Sequence, residues 1–474
     1  MNYTVITFAP VQGFIEKSRK LRDLYGGSFL LSYLADAICQ AADKYPECSL
    51  ISPALIDVKR GTPNQILIAG NFPKKEAEQV FNDAWQKVVN KCRVWIEQNL
   101  PQYNYTWRRE WNLWINHTWE FFWAQEDSID CAFKSLQQKK YQRDWTGINW
   151  QGESSSLSGS DAIVWYGMTD QTHPLYSSIS QQNQQITEFY QQLSQKLSNA
   201  ILDETERLSI PELVKRMITL YDIGKPLNLE LPKKFVELNR YEEKSYTGWF
   251  QGDGDGMGNY LKNLSISSRK EFSQRMRQWG EELENYLNFG RIIYAGGDDF
   301  LGVLFSQKSE PKLTLQDCLY WFDQFHREIW PKHGYSQDIT VSVGFVWAAS
   351  GVPQRDILQQ CREEEKSAKN QGKIRLAVRI LFNSGNYLEW VCPWENLKDI
   401  LDSYCDRSEG KNWTHFYNDI ATLENRRAFT DDNHDIANAV FNLYFNQNIP
   451  IDTTSHQDIN NWVINLSKVA NHLT

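Results

Sequence analysis

The sequence is poor in the features that mark several common protein classes. Across its 474 residues no apolar run is long enough to span a bilayer, so no membrane helix and no membrane partner are expected. The opening stretch "MNYTVITFAP" lacks the basic and apolar regions of a secretory leader, which leads to the expectation of a cytoplasmic chain. Eight cysteines (39, 48, 92, 131, 318, 361, 392 and 405) are scattered, with no Cys-x-x-Cys pair. That distribution reads as reduced thiols, with neither a disulfide frame nor a zinc knuckle. Positive charge is also in short supply. A formal net charge of −9 excludes a wholesale basic coat for nucleic acid and leaves only local basic stripes.

What is present is material for cores. Hydrophobic residues make up 41% of the chain and aromatic residues 14%, and tryptophan occurs nineteen times. Large aromatic area is mostly core and interface filling; base stacking is the rarer use. The length suggests roughly two to four domains.

Hydrophobic periodicity gives an order to the first part of the chain. Residues 3–8 read as a strand, 14–42 as an amphipathic helical stretch, 50–53 and 65–69 as strands, 74–98 as a helix and 119–124 as a strand. This is βαββαβ, the ferredoxin-like order. A polar stretch, "QGESSSLSGSD" at 151–161, reads as a linker or surface loop, and helices are expected at 186–199 and 210–221, the latter begun by Ser209 and Pro211. From Thr247 the order repeats: strand 247–252, helical stretch 259–289, strands 291–295 and 300–305, helix 315–330 and strand 340–347, followed by helix 355–370 and strand 374–382. Residues 384–474 read as helical. The expected fold is α+β: two ferredoxin-like domains at 1–125 and 244–383, a linker and helical domain at 126–243 and a C-terminal helical domain at 384–474.

The chemistry concentrates in the second repeat. Its first strand ends in "FQGDGDGMGNY", and its hairpin carries "YAGGDD". In a ferredoxin-like sheet the first strand lies antiparallel beside the third, so the topology brings Asp253 next to Asp298 and Asp299. Three converging carboxylates repel unless cations sit between them. Hard oxygen ligands suit Mg²⁺ or Mn²⁺, with waters and substrate phosphates filling the other positions. Gly254, Asp255, Gly256 and Gly258 form a segment whose backbone could approach a triphosphate at a helix N-terminus. Lys366, Lys369 and Lys373 in "EEEKSAKNQGK" fall at i, i+3, i+7 on one helical face that runs just past the helix end. Alone, that row is a solvated face paired with Glu363, Glu364 and Glu365, and each glycine-aspartate segment is a turn. Together in one βαββαβ unit they point to a two-metal nucleotide site.

These residues resemble the palm of GGDEF-type nucleotidyl cyclases and polymerases. Three further segments, "ITFAPVQGFIEKSRKLRDLYGGSFLLSYL", "GTPNQILIAG" and "ERLSIPELVKR", extend the resemblance to the large, polymerase-like subunit of type III CRISPR effector complexes. That is the Cas-ten family, here in its Cmr-type (III-B) branch. The resemblance spans residues 1–385. It implies an ATP-using palm that makes cyclic oligoadenylates once the complex holds target RNA. Its implied partners are other Cmr-type subunits, crRNA and target RNA. By the same resemblance Asp253, Asp298 and Asp299 would be metal ligands and catalytic residues. Gly254, Asp255, Gly256, Gly258, Lys366, Lys369 and Lys373 would contact ATP. The first palm has "QILIAG" where the second has "YAGGDD", so it would bind a nucleotide or serve structure without doing chemistry. Two departures stand out. The first palm begins at about residue 3, and the eight histidines (117, 173, 326, 333, 415, 434, 456 and 472) do not cluster, so no HD nuclease activity is expected. Serines in "GESSSLSGS" stand where a zinc site would need cysteines. The competing readings are a catalytically silent ATP-binding scaffold of the same complex and a free-standing GGDEF-like cyclase.

Overall fold

The computed structural model describes residues 2–473 except 55–57, 59–60, 144–151, 170–177, 228–237, 239–244, 307–310, 334–338, 407–410, 452 and 454. The chain divides into two compact units. One comprises Met1–Leu238 with Leu264–Arg277, the other Asn239–Asn263 with Gln278–Thr474. No helix among the described residues is long and apolar enough to cross a membrane.

The first unit is built on a four-stranded sheet in the order β2-β3-β1-β4. Strand β1 (Tyr3–Ala9) is antiparallel to β3 (Ile66–Ala69) on one side and to β4 (Glu120–Glu126) on the other, with β2 (Ser49–Ser52) outside β3. This is the ferredoxin-like order expected from the sequence. The helical stretch expected at 14–42 is broken into α1 (Gln12–Glu16) and α2 (Leu21–Ala42). Asp23 causes the restart: its carboxylate accepts from the Arg19 and Lys20 backbone N–H groups at 2.9 Å, satisfying donors that a new helix leaves open. After α3 (Lys74–Asn99) the structure adds α4 (Arg108–His117), which the sequence reading passed over, and α5 (Ile129–Tyr141) follows β4. Fully buried Trp85, Trp107 and Trp111 confirm the core-filling use of tryptophan. The unit continues with α6 (Ile179–Leu197), α7 (Ile210–Met217) and α8 (Tyr221–Gly224). The serine-rich segment is a loop, but a pinned one. Ser155 is buried against the Glu212 carboxylate, and the Arg207 N–H donates to Ser156 Oγ at 2.9 Å.

The second unit holds a six-stranded sheet in the order β10-β9-β8-β5-β7-β6. Its ferredoxin-like part consists of β5 (Thr247–Asp255), β6 (Arg291–Ala295), β7 (Phe300–Leu304) and β8 (Thr340–Ala348). Helices α9 (Met257–Lys262) and α10 (Ile266–Glu282) follow β5 in sequence, and α11 (Leu315–Gln324) follows β7. On one sheet face Phe250, Phe300, Trp321, Phe322 and Phe345 form an aromatic core, with ring centroids such as Phe322–Phe345 4.8 Å apart. The other face carries α12 (Gln354–Asn370), which leads into β9 (Arg375–Leu381), parallel to β8.

One expectation fails here. Residues 384–474 are not all helical, because Tyr387–Pro393 forms β10, paired antiparallel to β9. The turn at Asn383, Ser384 and Gly385, with φ +83° at Gly385, sends the chain back along a buried strand. There Trp390, Val391 and Cys392 gain a partner that helix formation could not supply. Helices α13 (Trp394–Ser403), α14 (Trp413–Asn425), α15 (Asp435–Phe445) and α16 (His456–Ala470) complete the chain.

Candidate active site

Strand alternation decides which side chains of β5 can meet. Gln251, Asp253 and Asp255 share one face and pair across to Gly344, Ser342 and Thr340 of β8. That is the α12 face. A methyl at Gly344 would lie 2.3 Å from the Glu365 nitrogen and 2.4 Å from the Cys361 oxygen, so only glycine lets α12 pack this closely on β8. The close approach brings Lys369 to the end of β5. Its ammonium donates to Asp253 Oδ2 and pairs with Glu365 Oε1 at 2.6 Å.

The hairpin between β6 and β7 delivers the other acids. The Gly254 N–H donates to the Asp298 carbonyl at 3.2 Å, and a methyl at Gly254 would stand 3.0 Å from Asp298 Cβ. The glycine therefore lets the hairpin tip close onto the strand. Burial pushes the Asp298 carboxyl up to about 7, and the neighbouring charges of Asp253 and Asp299 push the same way. Burial alone would lower the pKa of Lys369, but its bonds to Asp253 and Glu365 outweigh that and hold it firmly charged. Asp299 accepts from the Tyr294 hydroxyl at 3.1 Å.

The remaining expected residues are distributed unevenly. Asp255 is buried and engaged: it accepts from Ser342 Oγ at 2.9 and 2.8 Å, from Thr340 Oγ1 at 3.1 Å and from the Ile374 N–H at 3.2 Å. It ties the end of β5 to β8 and to the turn before β9. Gly256 takes φ +80° and opens α9, while a side chain at Gly258 would meet nothing within 4 Å. Lys366 is exposed on α12. That helix ends at Asn370, so Lys373, with φ 63°, lies just past its end, as the sequence spacing has it. The three glutamates also separate. Glu365 pairs with Lys369, whereas Glu363 and Glu364 pair with Arg379 at 3.1 and 2.6 Å.

The structure thus assembles Asp253, Asp298, Lys369 and Glu365, with Asp299 beside them. Glu365, Ser342 and Thr340 were missed as site residues. Ser342 sits in the "SVGF" segment that carried part of the resemblance, and Glu365 lies four residues before Lys369, the spacing of a helical ion pair. Carboxylates whose charges raise the proton affinity of Asp298 are the right chemistry for a hard divalent cation. Among the described residues, however, no three His, Cys, Asp or Glu side chains are already gathered as a metal cluster. Lys369 supplies the positive charge next to Asp253 instead.

Residues 246–377 match the family model described as Cas10/Cmr2, second palm domain. Residues 3–65 match that of the CRISPR-associated protein Cmr2, N-terminal. These segments run from β5 into β9 and from β1 past β2. No curated protein matches the sequence. Among solved structures, a chain of the type III-B Cmr-beta apo state, determined by cryo-EM, is similar with a TM-score of 0.61 at 11% identity, covering 100% of this chain and 81% of that one. A chain of the Csm1–Csm4 cassette in complex with cA3 is similar with a TM-score of 0.52 at 12% identity, covering 100% and 69%. The same cassette in complex with one ATP gives 0.51 at 13% identity, covering 100% and 70%. At these identities the likeness shows a shared fold.

Proposed function

We propose that this chain is the large, Cmr-type (III-B) subunit of a type III CRISPR effector complex. In this reading its second palm links ATP into cyclic oligoadenylates when the complex captures target RNA through its crRNA. The observation that carries the reading is the meeting of Asp253 with Asp298 beneath the Lys369 ammonium. The two matched family segments, and a fold shared with Csm1 chains bound to ATP and to cA3, support it.

Asp253, Asp298 and Asp299 would hold Mg²⁺ or Mn²⁺. A bound ion would supply Lewis-acid stabilisation of the attacking hydroxyl and of the departing pyrophosphate. The chain's own residues do the rest. Asp298, ionised when it holds the ion, would also help to deprotonate the 3′-hydroxyl. Asp255 fixes the end of β5 so that Asp253 keeps its place. Lys369 moves its charge from Asp253 to the triphosphate when nucleotide enters, and Glu365 keeps the ammonium within reach. The segment 254–258 borders the phosphates, and exposed Lys366 and Lys373 lie in reach of the outer oxygens. The first palm serves structure or holds a second nucleotide.

The test is ATP conversion by the complex with Mn²⁺ or Mg²⁺ and target RNA. Asp298→Asn with Asp299→Asn should abolish oligoadenylate formation while leaving assembly and urea midpoint unchanged. Full activity in the double variant would refute the site. Equal incorporation of GTP would favour a diguanylate-type cyclase.

A further inference from the structure

The first unit has a concave surface that the ATP chemistry does not use. Strand β4 is the outermost strand of its sheet, so one backbone edge has no strand beside it among the described residues. Along it lies a cavity of about 440 Å³ lined by Lys74, His117, Trp119, Phe121, Trp123 and Lys139, among others. The alternation of β4 explains the aromatic wall. Phe122 and Ala124 pack into the core against Ala132 and Leu136 of α5, which leaves Trp119, Phe121 and Trp123 half-buried on the other side.

Basic side chains reach this wall from three helices. Lys74 opens α3, His117 closes α4 and Lys139 lies in the last turn of α5. The Lys139 ammonium donates to the Trp123 carbonyl at 2.8 Å and stands 5.2 Å from the Trp123 ring centroid. Arg143 pairs with Glu120 at 3.4 Å, and Glu78 is the other acid on the wall. Lys74 and Lys75 begin a 26-residue helix whose N-cap, Pro73, provides no side-chain cap, and Glu76 is the acid of its first turn. The Trp119 Nε1 atom is buried and has no hydrogen-bond partner among the described residues.

We propose that this groove binds single-stranded nucleic acid. Its phosphates would lie between Lys74 and Lys139 and its bases against Phe121 and Trp123. An unpaired strand offers both π-faces for aromatic side chains and phosphates for cations, which a duplex and a free phosphate do not combine. Addition of a protein strand to β4 is opposed by Lys139, which already holds the Trp123 carbonyl, and by the charges along the edge. The assignment is independent of the cyclase reading, since no residue is shared between the two sites.

The experiment is fluorescence anisotropy of the full chain with a labelled oligouridylate of about a dozen nucleotides, across a salt series. Exposed Lys139→Glu should weaken binding tenfold or more and make the plot of log K against log salt shallower by about one unit. Because Trp123→Leu also removes a hydrogen bond to the Phe72 carbonyl, a second measurement avoids relying on it. An oligomer carrying 5-iodouracil should photocrosslink to a peptide containing Phe121 or Trp123. Unchanged affinity in Lys139→Glu, or crosslinks confined to other peptides, would overturn the proposal. So would displacement of the oligomer by low-millimolar inorganic phosphate, which would mark a simple anion site, or equal affinity for a duplex.

Discussion

In the first unit Arg216 lies fully buried between Asp23 and Glu206, bonded to Asp23 at 2.8 and 2.9 Å and to Glu206 at 2.6 Å. In the second, Asp253, Asp298 and Asp299 gather at a strand end with Lys369 bound only to the first of them. Both groups belong to units with the same ferredoxin-like strand order, and in both, burial pushes the pKa of one aspartate upward. In the first, burial acts against Asp23 but the Arg216 charge and hydrogen bonds win, holding its carboxyl at about 2. In the second, burial and like charge act together and Asp298 goes to about 7. A buried ion cluster that closes its own charge balance is a structural fastening. One left with surplus like charge holds something in reserve for a cation or a proton.

The comparison can be broken most forcefully at Arg216. Arg216→Met removes the bidentate partner of buried Asp23 and leaves Glu206 only Lys20 at 3.4 Å and Arg19 at 3.8 Å, which should cost about 3–5 kcal/mol in urea denaturation. A variant with a normal urea midpoint but no oligoadenylate synthesis would show that this cluster, too, is functional. At Lys369 the effect should be smaller and fall on function. Lys369→Ala removes a charge-assisted contact from the phosphates and should weaken ATP use by about ten- to a hundredfold. The same variant should bind Mn²⁺ more tightly in the absence of ATP, because the competing ammonium has left Asp253; electron paramagnetic resonance of free Mn²⁺ measures this. Weaker Mn²⁺ binding would mean that Lys369 orders the carboxylates and does not compete for them.

The smallest effect concerns Glu364. Burial, with help from the Glu389 charge, lifts its carboxyl to about 8 despite Arg379. The folded chain then holds a proton that the unfolded chain releases from about pH 4.5 upward. Stability should fall as pH rises through that window, by up to about 1.4 kcal/mol per pH unit, and level off above about 8. Glu364→Gln should remove the slope. A slope retained in that variant would place the extra proton on another group.

Much of the site was legible because strand order fixes neighbours. Once βαββαβ was read, Asp253 had to stand beside the hairpin tip carrying Asp298. The lysine row was legible only as a helical spacing. Which lysine reached an acid depended on where α12 stopped and how closely it lay on β8, and the glycine at position 344 decided the second. Asp255 reads as an ATP contact among the glycines of "GDGDG", yet its place opposite Thr340 commits it to hydrogen bonds with Ser342, Thr340 and the Ile374 N–H. Strand β10 was hidden because Tyr387–Pro393 gains its stability from hairpin pairing with β9, which the periodicity within the segment does not report.

By itself the sequence determined the alternation of elements, the turn chemistry and the acids at the strand and hairpin ends, since these follow from local periodicity and residue type. Only the tertiary structure decided which charges were balanced. Asp23 and Arg216 are 193 positions apart, and Lys369 and Asp253 are 116 apart. Electrostatic balance depends on distance and burial in space, and neither is encoded at a single place along the chain.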